Sequence, residues 1–266
     1  VLPIADKKKI FLFTPSAATI VFKKDDKQYP LAFSTWFNLE VEVDLLLKHM
    51  KEENKKRVVL AFDQDPFTQA IRTLVEKKAP SLGMEVISDD FFSVGSSDFR
   101  GMLVKTSKKN PDSSIFCFAD ESNLLNFLKQ RKEINPSMKL YGCGDADGYV
   151  TEPQWIGLFE NVDYITGLTK DKNFAEQYKK LFGTPPVLSA SPAYDATTIL
   201  LNALKAGKRS VDEIRDYLLN NEFNSVTYGK IKFNSAGGVE TGNFAIKQVK
   251  DGKVTEKVVQ WALYPL

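Results

Sequence analysis

Acidic pairs recur along this sequence: Asp63 with Asp65, and Asp120 with Glu121. Two neighbouring carboxyl groups can divide general acid and base work. Each pair also follows a short apolar run and opens a segment of helical period, where an Asp side chain caps the free amides of a first turn. Capping explains the pairs more simply than catalysis does. The stretch Thr14-Pro15-Ser16-Ala17-Ala18-Thr19 offers the opposite chemistry, because small side chains and hydroxyls let an anion approach exposed amides. A plain strand-to-helix cap is the alternative there.

Other constellations are absent or weak. The only histidine, His49, lies beside lysines in an amphipathic segment, and nothing near it in sequence would orient it, so it is expected at the surface. That comes close to excluding a Ser-His-Asp device. Asp145-Ala146-Asp147-Gly148 matches the start of a calcium loop but lacks the remaining ligands and the distal glutamate. The chain has no G-x-G-x-x-G after a strand, no Walker loop, no G-x-S-x-G and no C-x-x-C pair. What survives is a set of acidic groups with no nucleophile, which argues for binding over catalysis, with no catalytic residue, metal or cofactor.

The elements that must position these groups are legible from periodicity. Arg57–Phe62 is almost continuously apolar, as suits a strand covered on both faces, and Asp65-Pro66 after it reads as a cap followed by a first helical residue. Met84–Ile87, Ser114–Ala119 and Met138–Tyr141 repeat the pattern. Strands alternating with helices give an α/β fold with a parallel sheet, and ligands of such sheets sit outside the carboxyl ends of the strands. A strand at Ile10–Phe13 precedes the Thr14–Thr19 loop, and an amphipathic helix spans Asn38–Asn54. Further on come helices over Asp171–Phe182, Ser191–Ala206 and Val211–Asn220, the last with Ser210 and Glu213 spaced for a capping box. Phe244–Val249 and Val254–Trp261, turned at Asp251-Gly252, form an antiparallel edge hairpin.

Composition narrows the class. With 266 residues, 43% apolar and 26% charged, the chain has enough apolar material for one large or two modest domains. Lys plus Arg number 36 against 34 Asp plus Glu, a balance that gives no reason to expect nucleic acid, and Lys7-Lys8-Lys9 reads as a solvated face. No apolar run approaches the roughly 18 residues of a membrane span. The first residues show neither a starting Met nor a signal pattern, so a processed or trimmed chain is expected. Cys117 and Cys143 fall near the ends of strands that could be neighbours, but a bridge between adjacent parallel strands strains the required geometry. Buried free thiols are the expectation.

Several motifs in one order point further. Phe62-Asp63-Gln64-Asp65-Pro66-Phe67-Thr68-Gln69, Phe92-Ser93-Val94-Gly95-Ser96-Ser97-Asp98-Phe99, Asn110-Pro111-Asp112, the run Phe174–Gly183, and Pro192-Ala193-Tyr194-Asp195-Ala196 together resemble the type I periplasmic solute-binding proteins. The branch they are most similar to is the leucine/isoleucine/valine receptors of ABC importers. The resemblance implies two Rossmann-like lobes with parallel sheets. Residues 1–33 and 168–241 would form a first, partial lobe, and residues 34–167 and 242–266 a second. It puts crossovers near Phe33–Trp36, Gly167–Thr169 and Gly238–Asn243. Family members carry further βα units before the Thr-Pro-Ser loop, so the resemblance implies an N-terminally truncated chain with an incomplete first lobe.

The resemblance also implies a site. Ala17, Ala18 and Thr19 match the family's carboxylate-binding loop, Phe67 takes the place of a tyrosine set against the ligand, Asp120 stands where the second lobe often contributes a side chain, and Asp145 matches the acid that holds the ligand's ammonium. Trp36 is expected near the same cleft. The implied protein is a non-enzymatic receptor for a small amino acid, branched-chain or otherwise apolar, that delivers it to an ABC permease in the membrane. It would work in the periplasm or elsewhere outside the cytoplasm, free or lipid-anchored, its signal segment not present in this chain. The alternatives are a sensor domain of the same fold and an α/β enzyme with Asp63, Asp120 or Asp145 as general base.

Overall fold

Residues 1–18, 23–24, 27–150, 152–167, 171–187 and 189–261 are described by a computed structural model of the chain. In chain order the elements begin α1 (Leu2–Lys7), β1 (Leu12–Thr14), β2 (Lys23–Lys24), β3 (Lys27–Gln28), β4 (Ala32–Ser34), α2 (Leu39–Glu52) and β5 (Arg57–Asp63). The middle of the chain gives α3 (Pro66–Lys78), β6 (Glu85–Phe92), α4 (Arg100–Ser107), β7 (Ser113–Cys117), α5 (Glu121–Ile134), β8 (Lys139–Gly142), α6 (Pro153–Ile156) and β9 (Val162–Gly167). It ends with α7 (Lys172–Phe182), α8 (Ala190–Lys205), α9 (Val211–Asn220), β10 (Phe223–Ser225), β11 (Gly229–Ile231), β12 (Gly242–Lys250) and β13 (Lys253–Trp261). Short 3-10 turns cover Ala79–Leu82 and Gly144–Gly148. The chain divides into two units: Val1–Leu39, Gly167–Ala245 and Val258–Leu266 form unit 1, and Glu40–Thr166 with Ile246–Lys257 form unit 2.

Unit 2 is built on an α/β sheet. The seven strands run in the order β13-β12-β9-β8-β7-β5-β6, and β6, β5, β7, β8 and β9 are parallel neighbours. β5 comes first in the chain, yet β6 lies on one side of it and β7 on the other. The order therefore reverses between β5 and β7, and the crevice outside their carboxyl ends is where such sheets receive ligands. Val58, Val59, Leu60 and Ala61 of β5 are all fully buried, as required of a strand with helices on both faces. Val59 and Ala61 join Phe99, Phe116, Phe127 and Leu140 in the core under α4 and α5. Leu47 and Met50 of α2 are also fully buried, and on that side of the sheet His49 meets Tyr141 edge to face. The β12–β13 hairpin at the sheet edge turns through Asp251 (φ 52) and Gly252 (φ 66), the paired left-handed conformations of a type I′ turn. Glu160 receives both turn amides, at 2.9 and 3.2 Å.

In unit 1, β1 pairs with β4 in parallel and β10 with β11 antiparallel. The second strand of that short hairpin is Gly229–Ile231. Phe13, Phe33 and Phe233 form an edge-to-face cluster with centroids 5.5–6.3 Å apart, a geometry that adds about 1 kcal/mol per pair beyond area burial. Asp195 of α8 is 1% exposed. It accepts hydrogen bonds from the Ser225 hydroxyl, the Val226 amide and the Thr227 hydroxyl, so the segment after β10 is tied to the helix. Gly237 has φ +80, and a Cβ there would run into the carbonyl oxygen of Ala32; its own carbonyl takes the Ser34 amide at 2.8 Å. Trp36, expected near the ligand cleft, is buried and stacked on Phe37. α1 has no counterpart in the sequence reading; Pro3 in its first turn is the signal that marked it.

Two expectations are overturned. Cys117 and Cys143 form a disulfide, with Cα atoms 5.6 Å apart, and no described cysteine is free. The β7–β8 ladder ends at Phe116 opposite Gly142, so each cysteine lies one residue beyond the last pair of those two strands, Cys117 still in register with Phe62 of β5, and the ladder between the bridged chains no longer fixes their spacing. His49 is not a surface residue: its ring is mostly buried, and Nε2 lies 2.8 Å from Asp163 Oδ2. The orienting group comes from β9, far away in sequence, so no local pattern announced it.

Candidate functional site

The acidic pairs meet at the carboxyl ends of the unit 2 strands. β5 delivers Asp63, which is fully buried; its Oδ1 accepts from the Thr68 hydroxyl at 2.9 Å and its Oδ2 from the Asp120 amide at 3.0 Å. This fastens the ends of β5 and β7 together where the strand order reverses. Asp65 caps α3 through the Phe67 amide at 2.8 Å. Asp120 caps α5 through the Asn123 amide at 2.8 Å and also accepts the Ser122 hydroxyl, and these bonds hold its carboxyl below the ordinary range. Asp63, Asp65 and Asp120 are thus occupied by local backbone and hydroxyl groups, as capping predicts.

Asp145 differs. It follows β8, inside the Gly144–Gly148 turn, and its partly buried carboxylate accepts no hydrogen bond among the described residues. Burial first, then the charges of Asp65 and Asp63, push its pKa up to about 6. The sulfurs of the Cys117–Cys143 bridge lie within 4.8 Å of its carboxylate; bonded to each other, they are not available as metal ligands. Tyr149 belongs to the same group: burial, followed by the charges of Glu121, Asp145 and Asp120, raises its phenol. Its ring lies parallel to that of Phe159, 6.4 Å between centroids, and tilted against Trp155. Phe67 is half-buried in the first turn of α3, and its ring has no aromatic partner among the described residues.

The turn bearing Asp145 is tethered on several sides. Gly144 donates its amide to Glu42 Oε1 of α2 at 2.6 Å. Glu42 is 1% exposed, and burial pushes its pKa up to about 8 despite that hydrogen bond, with Asp145 adding to the rise. Asp147 accepts from the Tyr164 hydroxyl at 2.9 Å and from Lys247 at 2.7 Å. Sequence reasoning missed Tyr149 and Glu42. A signal for the latter existed: Glu42 is one helical turn before Leu46 on the apolar stripe of α2, where a carboxyl has no business without a purpose.

In unit 1, Ala17 and Ala18 follow β1. The Thr14 hydroxyl accepts the amides of Ser16 and Ala17 at 3.3 and 3.2 Å. Ala18 is buried, and Ala17 packs against Tyr29 and Ala32. Thr19, the third residue expected in this loop, lies outside the described residues.

A second titratable cluster lies where β8 and β9 begin. Besides His49, Asp163 accepts from Lys139 and, at 2.9 Å, from Gln248, while Glu53 accepts the Tyr141 hydroxyl. Burial raises the Asp163 carboxyl, but the hydrogen bonds from His49 and Lys139 outweigh it, and the group stays below its ordinary range. Carboxylates saturated by a lysine, an amide, a phenol and an imidazole form a closed structural network.

The sheet of unit 2 is of the doubly wound α/β type, and the chain belongs to the periplasmic binding protein family, whose model matches residues 1–253. This is a family of binding proteins, not enzymes. No curated protein matches the sequence. Among solved structures, the chain is similar to the leucine-binding protein LivK of Thermotoga maritima (TM-score 0.82, 21% identity, 98% of this chain and 76% of that one). It is also similar to the substrate-binding protein LivJ of Streptococcus pneumoniae in complex with isoleucine (TM-score 0.79, 22% identity, 97% and 75%). A third is an ABC-transporter solute-binding protein of R. palustris in complex with benzoate (TM-score 0.81, 19% identity, 96% and 72%). At these identities the likeness establishes the fold. No helix among the described residues is long and apolar enough to cross a membrane.

Proposed function

We propose that the chain is the solute-binding component of an ABC-type importer, that it works outside the cytoplasm, and that its solute is an amino acid with an apolar side chain. The observation that carries the amino-acid reading is Asp145: a partly buried carboxylate with no hydrogen-bond donor among the described residues, among other carboxylates and with no cation paired to it. An ammonium group supplies the missing positive charge and the missing donors at once. An aromatic acid such as benzoate supplies neither and would bring a further negative charge to a region that already has several. The disulfide supports the location, since such bridges persist in oxidising compartments. An importer requires a membrane permease as partner.

The other contacts follow the family resemblance. The Ala17, Ala18 and Thr19 loop takes the ligand's carboxylate, Phe67 gives apolar contact, and Asp120 contributes through Oδ2, the oxygen that its capping bonds leave unused. Because the Ala17 amide already serves Thr14, the Ala18 amide is the stronger donor for this role.

Calorimetry with leucine, isoleucine, valine and benzoate tests the proposal, together with mass spectrometry of whatever solute co-purifies. Heat from at least one amino acid and none from benzoate is expected. Benzoate binding with no response to any amino acid would refute the amino-acid assignment.

A further inference from the structure

The residues on either side of Asp145 are fastened, while Asp145 itself is not. Cys143 is held by its bridge to Cys117, the Gly144 amide by Glu42 at 2.6 Å, the Ala146 amide by the Cys143 carbonyl at 3.1 Å, and Asp147 by Tyr164 and Lys247. The fastening by Glu42 is the unusual one. Its carboxyl is almost fully buried, Oε1 takes the Gly144 amide, and Oε2 has no hydrogen-bond partner among the described residues. The charged group that bears on it is another acid, Asp145. An ionised carboxylate in this setting would lose several kcal/mol of hydration with nothing to offset it. A neutral carboxyl still accepts the amide through its carbonyl oxygen, less strongly than a carboxylate would, and adds no negative charge that would draw an ammonium away from Asp145.

We infer that Glu42 is a positioning residue for the solute site, a neutral buried acid that fixes the Gly144–Gly148 turn so that Asp145 presents its carboxylate to the ligand's ammonium. The inference rests on the role proposed above for Asp145. It accounts for an acid on the apolar stripe of α2, which helix propensity and core packing do not. Neutrality is the testable part, because glutamine reproduces the shape, the acceptor and the lack of charge, whereas leucine reproduces the bulk alone.

Carboxyl 13C NMR on the ligand-free protein, with the Asp145 signal assigned through Asp145→Asn, gives a readout independent of any solute. In Glu42→Gln, Asp145 is expected to keep the wild-type midpoint, about 6. In Glu42→Leu the turn loosens into water, and the midpoint is expected to fall by about one pH unit or more towards the ordinary carboxylate range. Calorimetry with leucine should then show the Leu variant weakened about tenfold or more, and the Gln variant within about threefold of wild type, since small displacements of a contact group cost affinity steeply. A folded Leu variant with wild-type midpoint and wild-type leucine affinity overturns the inference, as does a Gln variant as impaired as the Leu one. Should wild type give no heat with leucine, the choice of solute fails while the titration still judges Glu42. Should the Leu variant not fold, the Gln variant decides alone: a midpoint displaced by about a unit overturns the inference, and an unchanged one supports it.

Discussion

At the scale of single residues, the carboxylates of the strand-end cluster differ in what they are left free to do. Asp120 spends one oxygen on capping bonds that stabilise its charge, while Asp145 is given burial, like charges and no donor among the described residues. The first arrangement builds a helix end; the second leaves a charge unsatisfied, which is the basis of the proposed ammonium contact. Asp145→Asn is therefore expected to weaken amino-acid binding about a hundredfold, near the lower end of the cost of breaking a buried charge pair. The raised pKa also opposes two effects of pH. An ammonium ligand needs the ionised form, so affinity should fall as pH drops through about 6. The ligand-free native state holds a proton that the unfolded chain releases near the ordinary 3.8. That contribution to stability is fully present below this value and is lost as pH rises through about 6. Acidification from pH 7 to 5 should accordingly raise the midpoint of thermal unfolding from this group while weakening binding.

Glu42 obeys the same rule over a wider window, its pKa raised from 4.5 to about 8. Wild-type stability should fall relative to Glu42→Gln by about 1.4 kcal/mol per pH unit across that window and level off above it. Urea denaturation of both proteins at pH 5, 6 and 7 measures the slope, and parallel pH profiles would show that Glu42 is ionised in the native state.

At the scale of elements, the disulfide and one glycine carry consequences that sequence periodicity did not reveal. The bridge closes a loop with a sequence separation of 26 residues, for which chain entropy gives about 3.5 kcal/mol. Cys117→Ser with Cys143→Ser should lose about that much in urea and should also weaken leucine binding, because Cys143 enters the turn that bears Asp145. Gly237→Ala places a side chain at φ +80 against the Ala32 carbonyl. A loss of about 3 kcal/mol or more is expected, from left-handed strain together with backbone collision.

The parallel strands, their helices and the edge hairpin could be read directly because apolar runs, caps and the Asp251-Gly252 turn are local signals. β5 and the caps at Asp65 and Asp120 show this best. The bridge was missed because its feasibility depends on where the β7–β8 ladder stops. The pairing of His49 was missed because Asp163 lies on a strand that is remote in sequence. In the candidate site, the acidic residues were legible because they follow apolar strand runs, whereas the ligand role of Asp145 rests on the family resemblance. The difference between a capping carboxylate and an unsatisfied one appears only once hydrogen bonds are assigned.

At the scale of the whole molecule, family membership fixes the type of activity, binding without transformation, and the proposed role of Asp145 would limit the solute to one carrying an ammonium group. A ligand that binds only the native state raises its stability by about 2.7 kcal/mol at a hundred times its dissociation constant. A thermal-shift panel of amino acids should therefore show its largest displacement with an apolar member and none with the corresponding des-amino acid, 4-methylpentanoate in the case of leucine.

The most direct test of the central claim, that Asp145 receives the solute's ammonium, is leucine affinity measured by calorimetry from pH 5 to 8 on wild type and Asp145→Asn. Wild-type affinity is expected to hold steady above pH 7 and to drop towards tenfold per pH unit below about 6, while the variant binds about a hundredfold more weakly at pH 7 and shows no such inflection. Equal affinity in the two proteins, or the same pH profile in both, would contradict it.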